Sequence, residues 1–284
     1  MRWQGGKQSG NIEDRRGLGP GVAAGGLGIG GVVAVLVGVF VFDVDPRQMI
    51  SAVTDITGGA ASQQVARGTP EDEAGRFVGA VETSTTTVWT DIFRQSGAAY
   101  TPTAGMVLYS EATPTACGRG EAAMGPFYCP ADKKVYLDLT FWNELESRFG
   151  AAGDFARAYV IAHEIGHHVQ NLRGELSAPH GARMQGDGGR QVRVELQADC
   201  YAGVWAARTG AATAGEVDLE AGDIAEGLAA ASAVGDDTIQ RKTQGRVVPD
   251  AFTHGTSDQR MRWFKRGYET GDPGQCDTFR ARVL

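Results

Sequence analysis

The chain has 284 residues, 42% hydrophobic and 21% charged, which is enough for an ordinary globular core with something added. A formal charge of −7, with no block of basic residues anywhere, excludes a nucleic-acid surface. The 41 glycines follow no three-residue period, which excludes a collagen-like rod.

In chain order, residues 1–17 read as a basic cytoplasmic tail carrying Arg2, Lys7, Arg15 and Arg16. Residues 18–42 read as one transmembrane anchor, because the run from 21 to 42 has no charged residue and is long enough to cross a bilayer as a helix. It ends in Val39-Phe40-Val41-Phe42-Asp43 without a small-residue cleavage site, so an uncleaved anchor is expected rather than a signal peptide. Positive charge before the run, with Asp43 and Asp45 after it, sets the tail inside and the rest of the chain outside. Residues 43–70 are small and polar and read as a linker.

A folded domain is expected over 71–284. Its first helix begins near Glu71, with Phe77, Val81, Val88 and Ile92 at helical spacing, although the Thr-rich stretch 83–87 suits a helix poorly. Residues 106–110 and 135–139 read as strands. Between them, Cys117 and Cys129 flank one Gly/Pro-rich loop. Four cysteines in an exported domain imply two disulfides, and the local pairing, Cys117–Cys129 with Cys200–Cys276, is preferred among three. A Cys₄ zinc site is the rival, but no Cys-x-x-Cys pair exists. Residues 141–149 read as a short helix before the turn at 150–153.

The next helix is predicted from Asp154, as its N-cap, to Gly174, and it carries His163-Glu164-Ile165-Gly166-His167. Histidines four apart share one helix face, so His163 and His167 can hold one zinc ion. Glu164 reaches the open coordination position, where it can take a proton from an attacking water. His168 sits one position off that face and reads as a packing or hydrogen-bonding residue, and His180 as a solvated loop residue. The metzincin continuation is ruled out, because Gln170 and Arg173 stand where glycine and histidine are required. Downstream, Glu195 and Asp199 are again four apart in an apolar helical run. Glu195 serves as third ligand and Asp199 as the carboxylate that fixes one histidine's tautomer. The bland alternative is an exposed acidic pair. Further helices are expected over 218–234 and 257–268, with His254 in the loop before the second.

His-Glu-Ile-Gly-His followed by Glu-x-x-x-Asp resembles the gluzincin pattern of thermolysin-like peptidases. More narrowly the chain resembles the bacterial neutral zinc metallopeptidase family, whose members carry one amino-terminal span. The resemblance rests on Met1-Arg2-Trp3, Arg15-Arg16-Gly17, Gly125-Pro126-Phe127-Tyr128-Cys129-Pro130, Val135-Tyr136-Leu137-Asp138, both zinc helices, and the stretch from Phe252 through Thr253-His254-Gly255-Thr256 to Arg260. It implies an α+β, zincin-like fold with a small sheet and a mostly helical carboxyl-terminal half, preceded by one transmembrane helix. It also implies a membrane-anchored zinc endopeptidase acting on peptide or protein substrates outside the cytoplasmic membrane, touching lipid only through its span. In such enzymes one strand beside the zinc helix pairs with extended substrate, and residues 106–110 and 135–139 are equal candidates. His254 would donate to the oxyanion of the tetrahedral species, its alternative being a brace for the following helix. Two other functions compete: an interaction module keeping zinc for stability, and a zinc hydrolase of small amides or esters.

Overall fold

The computed structural model describes residues 1–17, 66–147, 150–177 and 182–284. The anchor expected at 18–42 lies outside the described residues, as do most of the linker and His180. Among the described residues no helix is long and apolar enough to cross a membrane.

The architecture is mixed α and β, with small sheets first and a helical carboxyl-terminal half. The strands are β1 (Ile12–Asp14), β2 (Ala66–Arg67), β3 (Gly105–Tyr109), β4 (Ala112–Thr115), β5 (Gly118–Glu121), β6 (Phe127–Cys129) and β7 (Lys134–Asp138). Five of them form one sheet in the order β2-β1-β3-β7-β6, while β4 and β5 make a separate hairpin. The β1/β3 and β3/β7 pairs are parallel; β2 and β6, at the two edges, run antiparallel to their neighbours. Every residue of β3 is buried, as interior strands covered on both faces require. The two strands expected from sequence are therefore both interior, and the edge strand packed against the helix that carries His163 is β6.

The helices are α1 (Glu73–Gln95), α2 (Phe141–Ser147), α3 (Asp154–Leu172), α4 (Arg190–Ala212), α5 (Asp223–Ala233), α6 (Asp236–Gln244) and α7 (Ser257–Thr270). Helix α1 tolerates its Thr-rich centre because the hydroxyls bond back to helix carbonyls, Thr85 to Glu82 at 2.8 Å and Thr87 to Thr83 at 2.8 Å. Asp154 is the first residue of α3 and not its cap; Gly153 precedes it at φ 110°, and the Asp154 carboxylate accepts the Trp3 indole N–H at 2.9 Å. Helix α4 meets α7 at Gly203 and Gly267, where a Cβ on either would collide with the backbone of the other helix. Gly166, between His163 and His167, likewise lets α3 approach the backbone of Ala198 on α4.

Residues 1–17 do not stand apart from this domain. β1 lies between β2 and β3, Trp3 is buried against Phe77, and the Arg2 and Asp218 backbones exchange hydrogen bonds. The basic residues read as a topology signal are engaged in ion pairs, Arg15 with Glu13 and Arg16 with Asp14 and Asp72. Both preferred disulfides are present, Cys117–Cys129 within the β4–β6 region and Cys200–Cys276 between α4 and the carboxyl-terminal segment.

Candidate metal centre

α3 and α4 pack side by side and bring together three side chains that could hold a metal ion. One ligand atom each from His163, His167 and Glu195 lies within 4.8 Å of the other two. The imidazoles meet edge to face, 4.8 Å between centroids. Nε2 of His163 is 3.1 Å from Glu195 Oε2 and Nε2 of His167 is 3.5 Å from Glu195 Oε1. Both opposite nitrogens are engaged elsewhere, His163 Nδ1 by Asp199 Oδ1 at 2.8 Å and His167 Nδ1 by Gln170 Oε1 at 2.8 Å. With Nδ1 donating in each ring, both Nε2 atoms point at the Glu195 carboxylate and are free to bind a metal once they give up any proton they share with it. Two imidazoles and one carboxylate, with no further member in the group among the described residues, fit a tetrahedral zinc site that keeps one position open.

The electrostatics agree with a cation-shaped centre. Burial by itself would depress both ligand histidines, but Asp199 and Glu195 outweigh it and raise them, His163 to about 10. Burial pushes the Glu195 and Asp199 carboxyls up, yet their cationic neighbours hold both low: His167 and His163 at Glu195, Arg260 and His163 at Asp199. Both carboxylates thus stay ionised beside the position a divalent cation would take. Glu164 differs. Burial dominates there and raises its carboxyl against the opposing pull of His167 and His163.

The expected residues fall into place as follows. His163, Glu164, His167, Glu195 and His254 line one cleft of about 530 Å³, and Asp199 lies behind it, fully buried against His163. His254 is half exposed and held by Asp236, whose Oδ2 accepts the backbone N–H groups of Thr253, His254 and Gly255 at 2.7, 2.6 and 2.9 Å. His168 is no ligand; its ring bonds Tyr128 Oη at 3.0 Å and the Thr101 carbonyl at 2.7 Å. β6, with Gly125 and Pro126 before it, borders the cleft and terminates the sheet there.

Several participants were not anticipated. Arg260 on α7 forks onto Asp199, Nε to Oδ2 at 2.8 Å and Nη2 to Oδ1 at 2.9 Å. Tyr159 donates its hydroxyl to the same Asp199 oxygen that engages His163. Tyr159 could have been found, since it sits one helical turn before His163 on the same face. Arg260 gave no such signal; it is 61 residues from Asp199 and no local spacing connects them.

Comparison with known proteins adds three findings. The family model described as "Putative neutral zinc metallopeptidase" matches residues 1–279. "Uncharacterized protein YpfJ" of Escherichia coli K12 is 44% identical over 294 residues, covering 98% of this chain and 99% of that one. "Uncharacterized protein Rv2575" of Mycobacterium tuberculosis H37Rv is 51% identical over 187 residues, 63% of each chain. No solved structure matches.

Proposed function

Since the chain belongs to the family of neutral zinc metallopeptidases, we propose that it is a zinc-dependent endopeptidase of zincin-like fold working in the cell envelope. The observation that carries this is the convergence of His163, His167 and Glu195 on one point, with Glu164 beside them on the wall of an open cleft. A structural zinc site would be closed by a fourth protein ligand.

Zinc held by these three side chains would polarise the scissile carbonyl and lower the pKa of a bound water to about 7. Glu164 takes the proton as the water oxygen attacks the carbonyl carbon, and delivers it to the amine when the C–N bond breaks. Burial raises the Glu164 carboxyl, which suits a group that must both accept and release a proton. Asp199, itself gripped by Arg260, fixes the His163 ring through Nδ1. His254 presents a donor from the facing loop, and its charge is favoured by Asp236. β6 is the edge strand at the cleft and can take an extended peptide as a further antiparallel strand, which recognises backbone over side chains. Such an edge favours polypeptide over a small amide.

Two disulfides argue for an oxidising compartment outside the cytoplasmic membrane, and the uncharged run 21–42 for attachment to that membrane. The charge-based orientation would put residues 1–17 and 66–284 on opposite faces of the bilayer. Hydrogen bonding of β1 to β2 and β3 requires one face, and that is the constraint we adopt.

Glu164→Gln is the decisive variant. It keeps shape and packing but cannot carry the proton, so zinc content should match wild type while cleavage of an unfolded protein falls by about 10²–10⁴. Equal cleavage by the two proteins would refute the assignment.

A further inference from the structure

The two ligand histidines are held in different ways. His163 leans on a charged carboxylate, whereas His167 leans on a neutral amide, Gln170, three residues along the same face of α3. Gln170 is fully buried and every polar atom of its amide is used. Its Nε2 donates to the Val194 carbonyl at 2.7 Å and to Gln197 Oε1 at 2.9 Å, and its Oε1 faces His167 Nδ1. Gln197, also buried, donates through its own Nε2 to the Cys276 carbonyl at 3.2 Å. Cys276 is bonded in turn to Cys200, three positions beyond Gln197 on α4.

Backbone carbonyls can only accept, so the Val194 and Cys276 oxygens fix the direction of this chain from its far end. The Gln197 nitrogen must face Cys276, which leaves its oxygen for Gln170. The Gln170 nitrogen must face Val194 and Gln197, which leaves its oxygen for His167. That oxygen accepts from Nδ1, and in the neutral ring, the form that binds a metal, the proton is thereby kept off Nε2, the atom directed at Glu195 and the metal position. Reversing either amide would set nitrogen against nitrogen or oxygen against oxygen in a dry interior, leaving buried polar groups unpaired.

We propose that Gln170 and Gln197 are positioning residues of the metal centre. Together they lock the tautomer and ring orientation of His167, and they tie that ligand to the carboxyl-terminal segment held at Cys276. The inference rests on the metal-centre reading above and adds to it a pair of residues on which metal affinity depends.

The test compares wild type, Gln170→Leu, Gln197→Leu and, as a control, Thr209→Val, which removes a buried hydroxyl elsewhere on α4. For each, the zinc dissociation constant is measured by chelator competition, the visible absorption bands are recorded after cobalt(II) loading, and the melting temperature of the metal-free protein is determined. Zinc binding should weaken about 10–100-fold in Gln170→Leu, with altered cobalt bands, because removal of a ligand's hydrogen-bond partner has that scale of effect. Gln197→Leu, which touches neither histidine, should move both readouts in the same sense by a smaller amount. Thr209→Val should lower the melting temperature alone. Unchanged cobalt bands and zinc affinity within about twofold of wild type in both glutamine variants would overturn the proposal while leaving the metal centre intact. Should Gln170→Leu fail to fold, Gln197→Leu decides alone. A wild-type protein that binds no zinc would overturn the metal centre itself, and this proposal with it.

Discussion

At the scale of single residues, the chemistry divides between what one helix carries and what several must assemble. His163, Glu164 and His167 announced themselves because their roles depend only on spacing along α3, and Glu195 with Asp199 did so along α4. Gln170 was visible only as the residue that ruled out a metzincin, since its real function depends on Val194 and Gln197 across the helix interface. Asp236 was likewise hidden; its carboxylate acts on a loop 17 to 19 residues later. That contact has a measurable consequence. Burial would lower the His254 imidazole, but the Asp236 hydrogen bond and nearby carboxylates raise it above its ordinary value. Nδ1 lies 2.8 Å from Thr253 Oγ1 and 3.3 Å from Asp236 Oδ1, two oxygens that can both accept from it; with the neutral ring's proton held there, only the protonated ring has an N–H at Nε2 to offer an oxyanion. Activity should therefore persist below the raised pKa and fall as pH climbs through it. Asp236→Asn should shift the alkaline limb of the kcat/KM profile to lower pH, whereas His254→Ala should cost about 10²–10³ in kcat across the range. An alkaline limb that stays in place in Asp236→Asn would remove His254 from the donor role.

At the scale of elements, helix periodicity was legible where a face is buried over several turns, as in α1, α3 and α4. The edge strand was not, because β6 has three residues inside a Gly/Pro-rich stretch and offers too little alternation to register. Helix α6 escaped for a related reason: it is short, and few of its residues are buried. How closely helices approach is also invisible to periodicity, yet it places Arg260. At Gly267 an added Cβ would strike the Cys200 carbonyl, a backbone atom that cannot yield cheaply, so Gly267→Ala should destabilise by more than the roughly 1–3 kcal/mol usual for overpacking. Gly166→Ala is a milder case. Its Cβ would sit 3.1 Å from the Ala198 Cα, and about 1 kcal/mol of better helix propensity offsets part of the strain. Urea denaturation of the metal-free proteins should rank Gly267→Ala well below Gly166→Ala; the reverse order would show that the α4–α7 contact is not as tight as described.

At the scale of the whole molecule, the α+β class and both disulfides could be read in advance, but the place of residues 1–17 could not. A short segment rich in arginine looks like a flank when its partners, Asp72 and the strands β2 and β3, lie beyond a long intervening stretch. With β1 inside the sheet, tags attached before residue 1 and after residue 284 should show the same protease accessibility in intact cells. Opposite accessibility would separate β1 from the domain. One more consequence follows from Arg260, and it concerns time. Asp199 and its guanidinium partner are 61 residues apart, a delay on the order of 3–12 s at about 5–20 residues per second of synthesis. During that interval the growing chain already has His163, Glu164, His167 and Glu195. It still lacks the counter-charge that lets Asp199 remain ionised in a dry interior. Asp199 thus stays without its guanidinium partner until α7 has been made.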